Sequence, residues 1–210
     1  DRLEKCEFHL ESGLVEKSSL KYKQKAIFLD RDGTLNIENG FITSPDQIKL
    51  FKNVGKSIYN LRNNGFLIFL ITNQPVIARG DCTVNELNQV HWKIEKIIAK
   101  NKAYFDKIYF CPHHTDKGFE GEVESLKINC DCRKPKIGLI KRAEKEYNID
   151  LKKSWFIGDS TADLGAAYNS KVKSVLVETG NKGTDGKFDF SSDFKAKDIY
   201  EASNKIINKI

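Results

Sequence analysis

The 210-residue sequence contains no methionine, only four prolines, and no apolar run longer than Phe66 to Thr72. Translation starts on methionine, so Asp1 is not expected to be the native beginning of the chain. The longest apolar run is far short of the roughly 20 residues that a membrane-spanning helix needs. The first twenty residues carry Glu4, Glu7, Glu11 and Glu16 and no apolar block, unlike a secretory signal, so the expected compartment is the cytoplasm, with no membrane partner. Lysines are spread along the chain with no basic block interleaved with aromatics, which removes the usual footprint of a nucleic-acid binder. Internal repeats and low-complexity segments are missing as well.

What remains is globular. With 40% hydrophobic and 30% charged residues, a chain of this length buries roughly 70% of its unfolded surface, ample for an enzyme core. The formal charge of +6, from 35 basic and 29 acidic residues, attracts phosphorylated ligands as readily as nucleic acid and does not choose between them. Cys6, Cys82, Cys111, Cys130 and Cys132 are odd in number, and three of them share a short stretch with His113 and His114. Without an export signal this favours metal over disulfide.

Residues 1–24 are polar and rich in Lys and Glu, and read as a linker or N-terminal extension; the domain is expected over 25–210. Apolar runs at Ala26–Leu29, Phe66–Ile71, Lys107–Phe110, Ser154–Ile157 and Ser174–Val177 read as buried parallel strands. Between them, Val54, Ile58 and Leu61 recur at helical spacing. Thr83 and Glu86 form a capping box ahead of a second helix, Leu139, Ile140, Ala143 and Tyr147 mark a third, and Ile199, Ala202, Ile206 and Ile207 a last one. Such alternation predicts an α/β fold, a Rossmann-like parallel sheet with helices on both faces. The stretch from His113 to Pro135 has neither period and is too long for an idle loop.

The first strand ends in Asp30-Arg31-Asp32-Gly33-Thr34, two carboxylates at the carboxyl edge where parallel sheets bind ligands. Carboxylates facing one point repel unless a cation or shared proton lies between them. An Asx-rich turn would explain this segment alone. Three further segments change the balance: Thr72-Asn73-Gln74 at the end of the next strand, the cations of Arg133-Lys134-Pro135, and Gly158-Asp159-Ser160-Thr161-Ala162-Asp163 at another strand end. Acid pair, hydroxyl, lysine and second acid pair, in that order, make a site for magnesium and phosphate. A second signal is Cys111-Pro112-His113-His114 followed by Cys130-Asp131-Cys132, with sixteen residues between His113 and Cys130. Two close pairs closing one loop have zinc spacing, and Cys111, His113, Cys130 and Cys132 complete a tetrahedral, structural site, with His114 an alternative ligand.

The four segments resemble the motifs of the haloacid dehalogenase superfamily of phosphohydrolases across Ala26 to Val177. The resemblance implies that fold without a large cap domain. It makes Asp30 the nucleophile and Asp32 the acid and base, gives Thr72 and Lys134 the phosphoryl oxygens, and assigns magnesium to Asp30, the Asp32 carbonyl and Asp159. Asp163 orients Lys134 or serves as a first-turn helix charge. Within the superfamily, the zinc-loop pairs and Ile77-Ala78-Arg79-Gly80 resemble the heptose 1,7-bisphosphate 7-phosphatases, which act on the way to nucleotide-activated heptose. By that resemblance Glu38, Asn39, Gly40 and Phe41 lie over the sugar, Asn73 and Gln74 flank the phosphate, Arg133 recognises the distal phosphate, and Ser160 belongs to the substrate site. The expected partner is a small phosphorylated sugar, the expected state a monomer, and the extension is expected either to join the domain to a sugar nucleotidyltransferase or to be an extra amino-terminal helix of a stand-alone protein. Histidinol-phosphate and polynucleotide 3'-phosphatases are the enzymatic alternatives, and a zinc-stabilised interaction module the non-enzymatic one. The chain departs from the pattern at Pro75-Val76, at Ile137, in a longer zinc loop, and at Ser160, where a lysine often stands and whose absence removes a cation.

Overall fold

A computed structural model describes residues 22–38 and 40–209. Among them six parallel strands form one sheet: β1 (Lys25–Leu29), β2 (Phe66–Asn73), β3 (Lys107–Cys111), β4 (Trp155–Gly158), β5 (Lys173–Val177) and β6 (Phe194–Ala196), in the order β3-β2-β1-β4-β5-β6. Five helices cover it: α1 (Val54–Asn63), α2 (Val84–Ile98), α3 (Gly138–Tyr147), α4 (Thr161–Ser170) and α5 (Ile199–Ile207). The period of two along each strand splits the core. Ile27 and Leu29 of β1 join Ile68 and Leu70 of β2 under α1, α2 and α5, whereas Ala26, Phe28, Phe69 and Ile71 face α3 and α4. On that second face Phe28 stacks between Phe69 and Phe156, with centroid separations of 5.7 and 6.3 Å. Because both faces are buried, the central strands are apolar without alternation.

The chain steps outward from β1 to β2 and β3, then returns to the other side of β1 as β4. This reversal opens a crevice at the carboxyl ends of β1 and β4, where open α/β sheets bind ligands. The capping box at Thr83 is present, with Glu86 N donating to the Thr83 hydroxyl at 3.2 Å and Thr83 N to the Glu86 carboxylate at 2.7 Å. Two elements lie beyond the sequence expectation. Helix α4 buries Thr161, Asp163, Leu164, Gly165, Ala166 and Ala167 and so has no apolar stripe to read. Strand β6 is three residues of edge. Of the expected extension 1–24, residues 1–21 lie outside the described residues, while Gln24 is already bonded to the body through Asn148 O (2.9 Å) and Asp150 N (2.7 Å).

Among the described residues the excursions from β1 to α1 and from β3 to α3 carry only short 3-10 turns, Pro45–Gln47 and Glu124–Leu126, and no cap domain. The long stretch after β3 is held by side chains and backbone together. Val123 N donates to Ala78 O at 3.0 Å, and Leu126 packs on the small cluster of Val76, Ile77, Cys82 and Leu87. The Arg79 guanidinium lies between the rings of Phe41 and Phe119, 4.4 and 4.5 Å from their centroids, and reaches His114 Nε2 at 3.2 Å. No described helix is long and apolar enough to cross a membrane.

Helix α3 begins four residues after Lys134 and is pinned to β3 by Glu146, which accepts from Lys107 Nζ (3.0 Å), Tyr109 OH (2.8 Å) and Arg142 Nε (2.9 Å). Burial would raise the Glu146 carboxyl, but these donors bring it down to about 2. A carboxylate depressed on folding stabilises above its unfolded pKa and loses that contribution as pH falls through the folded value. Glu146→Gln should therefore cost, after solvent screening, about 1 kcal/mol at pH 7. The difference from wild type should close between pH ~4.5 and ~2, as read by chemical denaturation across that range.

Candidate active site

Four loops at the carboxyl ends of β1, β2, β4 and β5 and the loop before α3 converge on one cavity, lined by Asp30, Asp32, Thr72, Lys134 and Asp159 among others. Lys134 is its hub. Its ammonium, buried with the rest of the side chain, donates to Asp30 Oδ1 (2.6 Å), Asp163 Oδ1 (2.6 Å) and Ile71 O (2.9 Å). Three donors meet three acceptors, and although burial opposes the charge, Asp163 and Asp30 hold the ammonium pKa above its ordinary value. Asp163 does both of the things open to it: Oδ1 takes Lys134, while Oδ2 accepts from Ser160 N (3.0 Å) and Ser160 Oγ (2.7 Å), capping α4. Ser160 lines the cavity with its hydroxyl so committed.

Asp30, Asp159 and Asp163 bring carboxylate oxygens within 4.8 Å of one another. Burial first, then Asp163, push Asp30 well above the ordinary carboxylate range, only partly opposed by Lys134. Burial and Asp163 likewise raise Asp159 to about 6, against two donations from Asn181, N at 2.7 Å and Nδ2 at 2.9 Å. One ammonium does not neutralise three carboxylates, so the geometry calls for a further cation. Backbone holds Asp159 in place: a Cβ at Gly33 (φ 76°) or at Gly180 (φ 56°) would come within 2.3 Å of its Oδ2.

Asp32 is in the opposite condition. Burial raises its carboxyl, but the Arg31 charge and hydrogen bonds from Arg31, Asn36 and Gln74 outweigh it and leave the pKa lowered. Arg31 is buried and meets Asp32 Oδ2 at 2.8 Å, while Asn36 Nδ2 and Gln74 Nε2 each donate to Asp32 at 3.0 Å. The two aspartates that follow the first strand thus differ in proton affinity.

The other expected residues are also brought here. Thr72 is buried, its hydroxyl accepting from Gln74 Nε2 at 2.8 Å. Asn73 grips the backbone of Lys134, taking its N–H on Oδ1 (3.0 Å) and giving Nδ2 to its carbonyl (3.2 Å). Asn73 and Gln74 both line the cavity, with their amides engaged on the residues beside them. Glu38, Gly40 and Phe41 form part of the rim, Glu38 accepting from Asn181 at 3.2 Å; Asn39 lies outside the described residues. Arg133 lines the cavity and donates Nη1 to His113 O at 3.2 Å. Beyond the sequence reading, the structure adds Arg31 and Asn36 behind Asp32, and Asn181, Asp185 and Lys187 from the loop after β5. Thr179-Gly180-Asn181 follows a strand's carboxyl end, and that position was the available signal for Asn181.

Away from the cavity, Cys111, His113, Cys130 and Cys132 cluster with their ligand atoms within 4.8 Å. The Sγ separations are 3.5 Å (Cys111–Cys130), 3.2 Å (Cys111–Cys132) and 3.3 Å (Cys130–Cys132), and His113 Nδ1 is 3.2 Å from Cys132 Sγ. The Cys111 thiol and burial push the Cys132 thiol up, the penalty of crowding sulfurs without a positive charge. His114 is turned away towards Arg79 and Phe119.

A family model described as HAD-hyrolase-like matches residues 131–202, the span holding Lys134, Asp159 and Asp163. The chain is 41% identical over 159 residues to the D-glycero-beta-D-manno-heptose-1,7-bisphosphate 7-phosphatase of Haemophilus ducreyi, covering 75% of this chain and 85% of that protein. It is 42% identical over 166 residues to the phosphatase of the same name from Pasteurella multocida, covering 78% and 88%. Among solved structures it is similar to the D,D-heptose 1.7-bisphosphate phosphatase from B. bronchiseptica complexed with magnesium and phosphate. That likeness has a TM-score of 0.76 and 29% identity, and covers 89% of this chain and 99% of that one.

Gly33→Ala should displace the Asp159 carboxylate without replacing a charged residue. Calorimetric titration with magnesium is expected to show affinity at least about tenfold weaker than wild type, alongside roughly 1 kcal/mol of lost stability from the left-handed backbone.

Proposed function

We propose, for a chain that belongs to the D-glycero-beta-D-manno-heptose-1,7-bisphosphate 7-phosphatase family and is a phosphatase of HAD-like fold, that it removes the 7-phosphate of that heptose bisphosphate through an aspartyl-phosphate on Asp30. The observation that carries this reading is the convergence of Asp30, Asp32, Thr72, Lys134 and Asp159 on one cavity, with the Lys134 ammonium held between Asp30 and Asp163. An Asp30 oxygen attacks phosphorus as the bond to the sugar oxygen breaks, and that oxygen leaves with the proton of Asp32. Asp32, now ionised and held by Arg31, Asn36 and Gln74, takes a proton from water as the water oxygen attacks phosphorus. Phosphate departs and Asp30 is restored. Lys134 and the Thr72 hydroxyl hold phosphoryl oxygens, and Asn73 fixes the Lys134 backbone for that task.

Asp30 and Asp159 carry side-chain oxygens suited to magnesium, with the Asp32 carbonyl as the third protein ligand. Bound magnesium supplies the charge that keeps these buried carboxylates ionised and offsets the negative charge of the phosphoryl group. Cys111, His113, Cys130 and Cys132 would hold zinc. Their Sγ separations approach the roughly 3.8 Å edge of a tetrahedron with zinc–sulfur bonds of about 2.3 Å, and three thiols with one imidazole leave no open position. The zinc is structural: it ties the long loop to β3 and so orients Arg133, which follows the last ligand and is bonded to His113 O. We assign the enzyme to the cytoplasm as a monomer, and the domain to residues 25–210.

Phosphate release from heptose 1,7-bisphosphate should fall by at least about 10³-fold in Asp30→Asn while fold and zinc content stay intact. Persistent turnover would sink the nucleophile assignment, and a preference for histidinol phosphate over the bisphosphate would sink the substrate assignment. Elemental analysis should find about one zinc per chain. Cys130→Ser should lose that zinc and lower Tm by more than about 5 °C.

A further inference from the structure

Two of the four cations lining the cavity are committed to carboxylates. Arg31 is paired with Asp32 at 2.8 Å, and Lys134 with Asp30 and Asp163 at 2.6 Å each. Two lining cations are not so committed: Arg133, whose Nη1 serves a neutral carbonyl, and Lys187, which makes no ion pair among the described residues. We propose that Lys187 is a substrate-binding residue that, together with Arg133, holds the second phosphate of a sugar bisphosphate while the first is at Asp30. This rests on the proposed reading of the cavity as a sugar bisphosphatase site and deepens it.

The charge balance asks for a second cation. A phosphate monoester carries about −1.5 to −2 at pH 7, so Arg133 alone leaves roughly one charge exposed to a cavity already lined by carboxylates. The wall beside Lys187 offers no other: Ser160 is neutral and spends its hydroxyl on Asp163.

The loop after β5 is built to present this lysine. Asp185 accepts from Thr161 N and Thr161 Oγ1, both at 2.8 Å, and Phe188 N donates back to Thr161 Oγ1 at 3.2 Å. The Asp185 side chain before Lys187 and the Phe188 backbone after it are therefore tied to one residue at the start of α4. Asp185 spends one carboxylate oxygen on Thr161 N and the other on Thr161 Oγ1. Earlier in the loop, Asn181 and Gly183 are bonded to Asp159, so Lys187 and the catalytic carboxylates share one framework. With the backbone already ordered, binding costs only the rotamer freedom of an exposed side chain. A contact equally strong in ground and transition states lowers KM without raising kcat, and the Lys187 contact is assigned that character.

The test compares wild type, Lys187→Ala and Lys187→Arg with heptose 1,7-bisphosphate and with p-nitrophenyl phosphate, which has no second phosphate. Lys187→Ala should raise KM for the bisphosphate roughly tenfold with kcat within about twofold. Lys187→Arg should restore most of the loss, and p-nitrophenyl phosphate kinetics should be the same in all three. An unchanged KM for the bisphosphate, or equal losses on both substrates, overturns the assignment while a wild type active on the bisphosphate leaves the sugar bisphosphatase reading standing. A wild type that hydrolyses p-nitrophenyl phosphate but no sugar bisphosphate overturns both.

Discussion

Three buried carboxylates sharing one ammonium are the constraint around which this molecule is arranged. Asp30, Asp159 and Asp163 bring oxygens within 4.8 Å of one another, and Lys134 bonds two of the three. Such a cluster is unfavourable unless its charge is met, because burial penalises each ionised group and each raises its neighbours. The surrounding structure contains the cost by fixing every member. Asn73 grips the backbone of Lys134, the α4 cap takes the second oxygen of Asp163, and Asn181 donates twice to Asp159. What remains unmet is a deficit of positive charge, and that deficit gives the site its appetite for a divalent cation and for the cationic wall around a phosphate.

A cavity without a large cap needs another way to define its rim. Here the loop after β3 does this work, tied at its base by the cysteine and histidine cluster and laid against the 75–82 segment by backbone and by Arg79. The same guanidinium touches Phe41 of the loop after β1, so two sides of the rim meet on one side chain. The loop after β5 closes the remaining side through Asn181, Asp185 and Lys187.

Much of this was legible in the sequence because the signals are local. Unbroken apolar runs marked the first five strands, the Thr83 and Glu86 spacing marked the start of α2, and each acidic motif followed a strand. Elements whose signals depend on surroundings were missed. Helix α4 is buried nearly all round and shows no stripe, and β6 is too short and exposed to carry a pattern. His113 and His114 are adjacent in sequence and equivalent in chemistry; only the path of the backbone after β3 turns one towards the thiols and the other towards Arg79.

The sequence by itself determined the fold class, the four acid, hydroxyl and lysine segments and the metal-loop spacing, since each depends on residues a few positions apart. Tertiary structure alone decided which partners those residues have. It brought Gln74 from the end of β2 to Asp32 and left Asp30 to burial, so that two carboxylates two residues apart differ in proton affinity. It also carried Lys187 from a distant loop to a wall where Ser160 supplies no charge. Proton affinity and charge compensation depend on distances through space and on exclusion of water, and neither quantity exists until the sheet has brought its strand ends together.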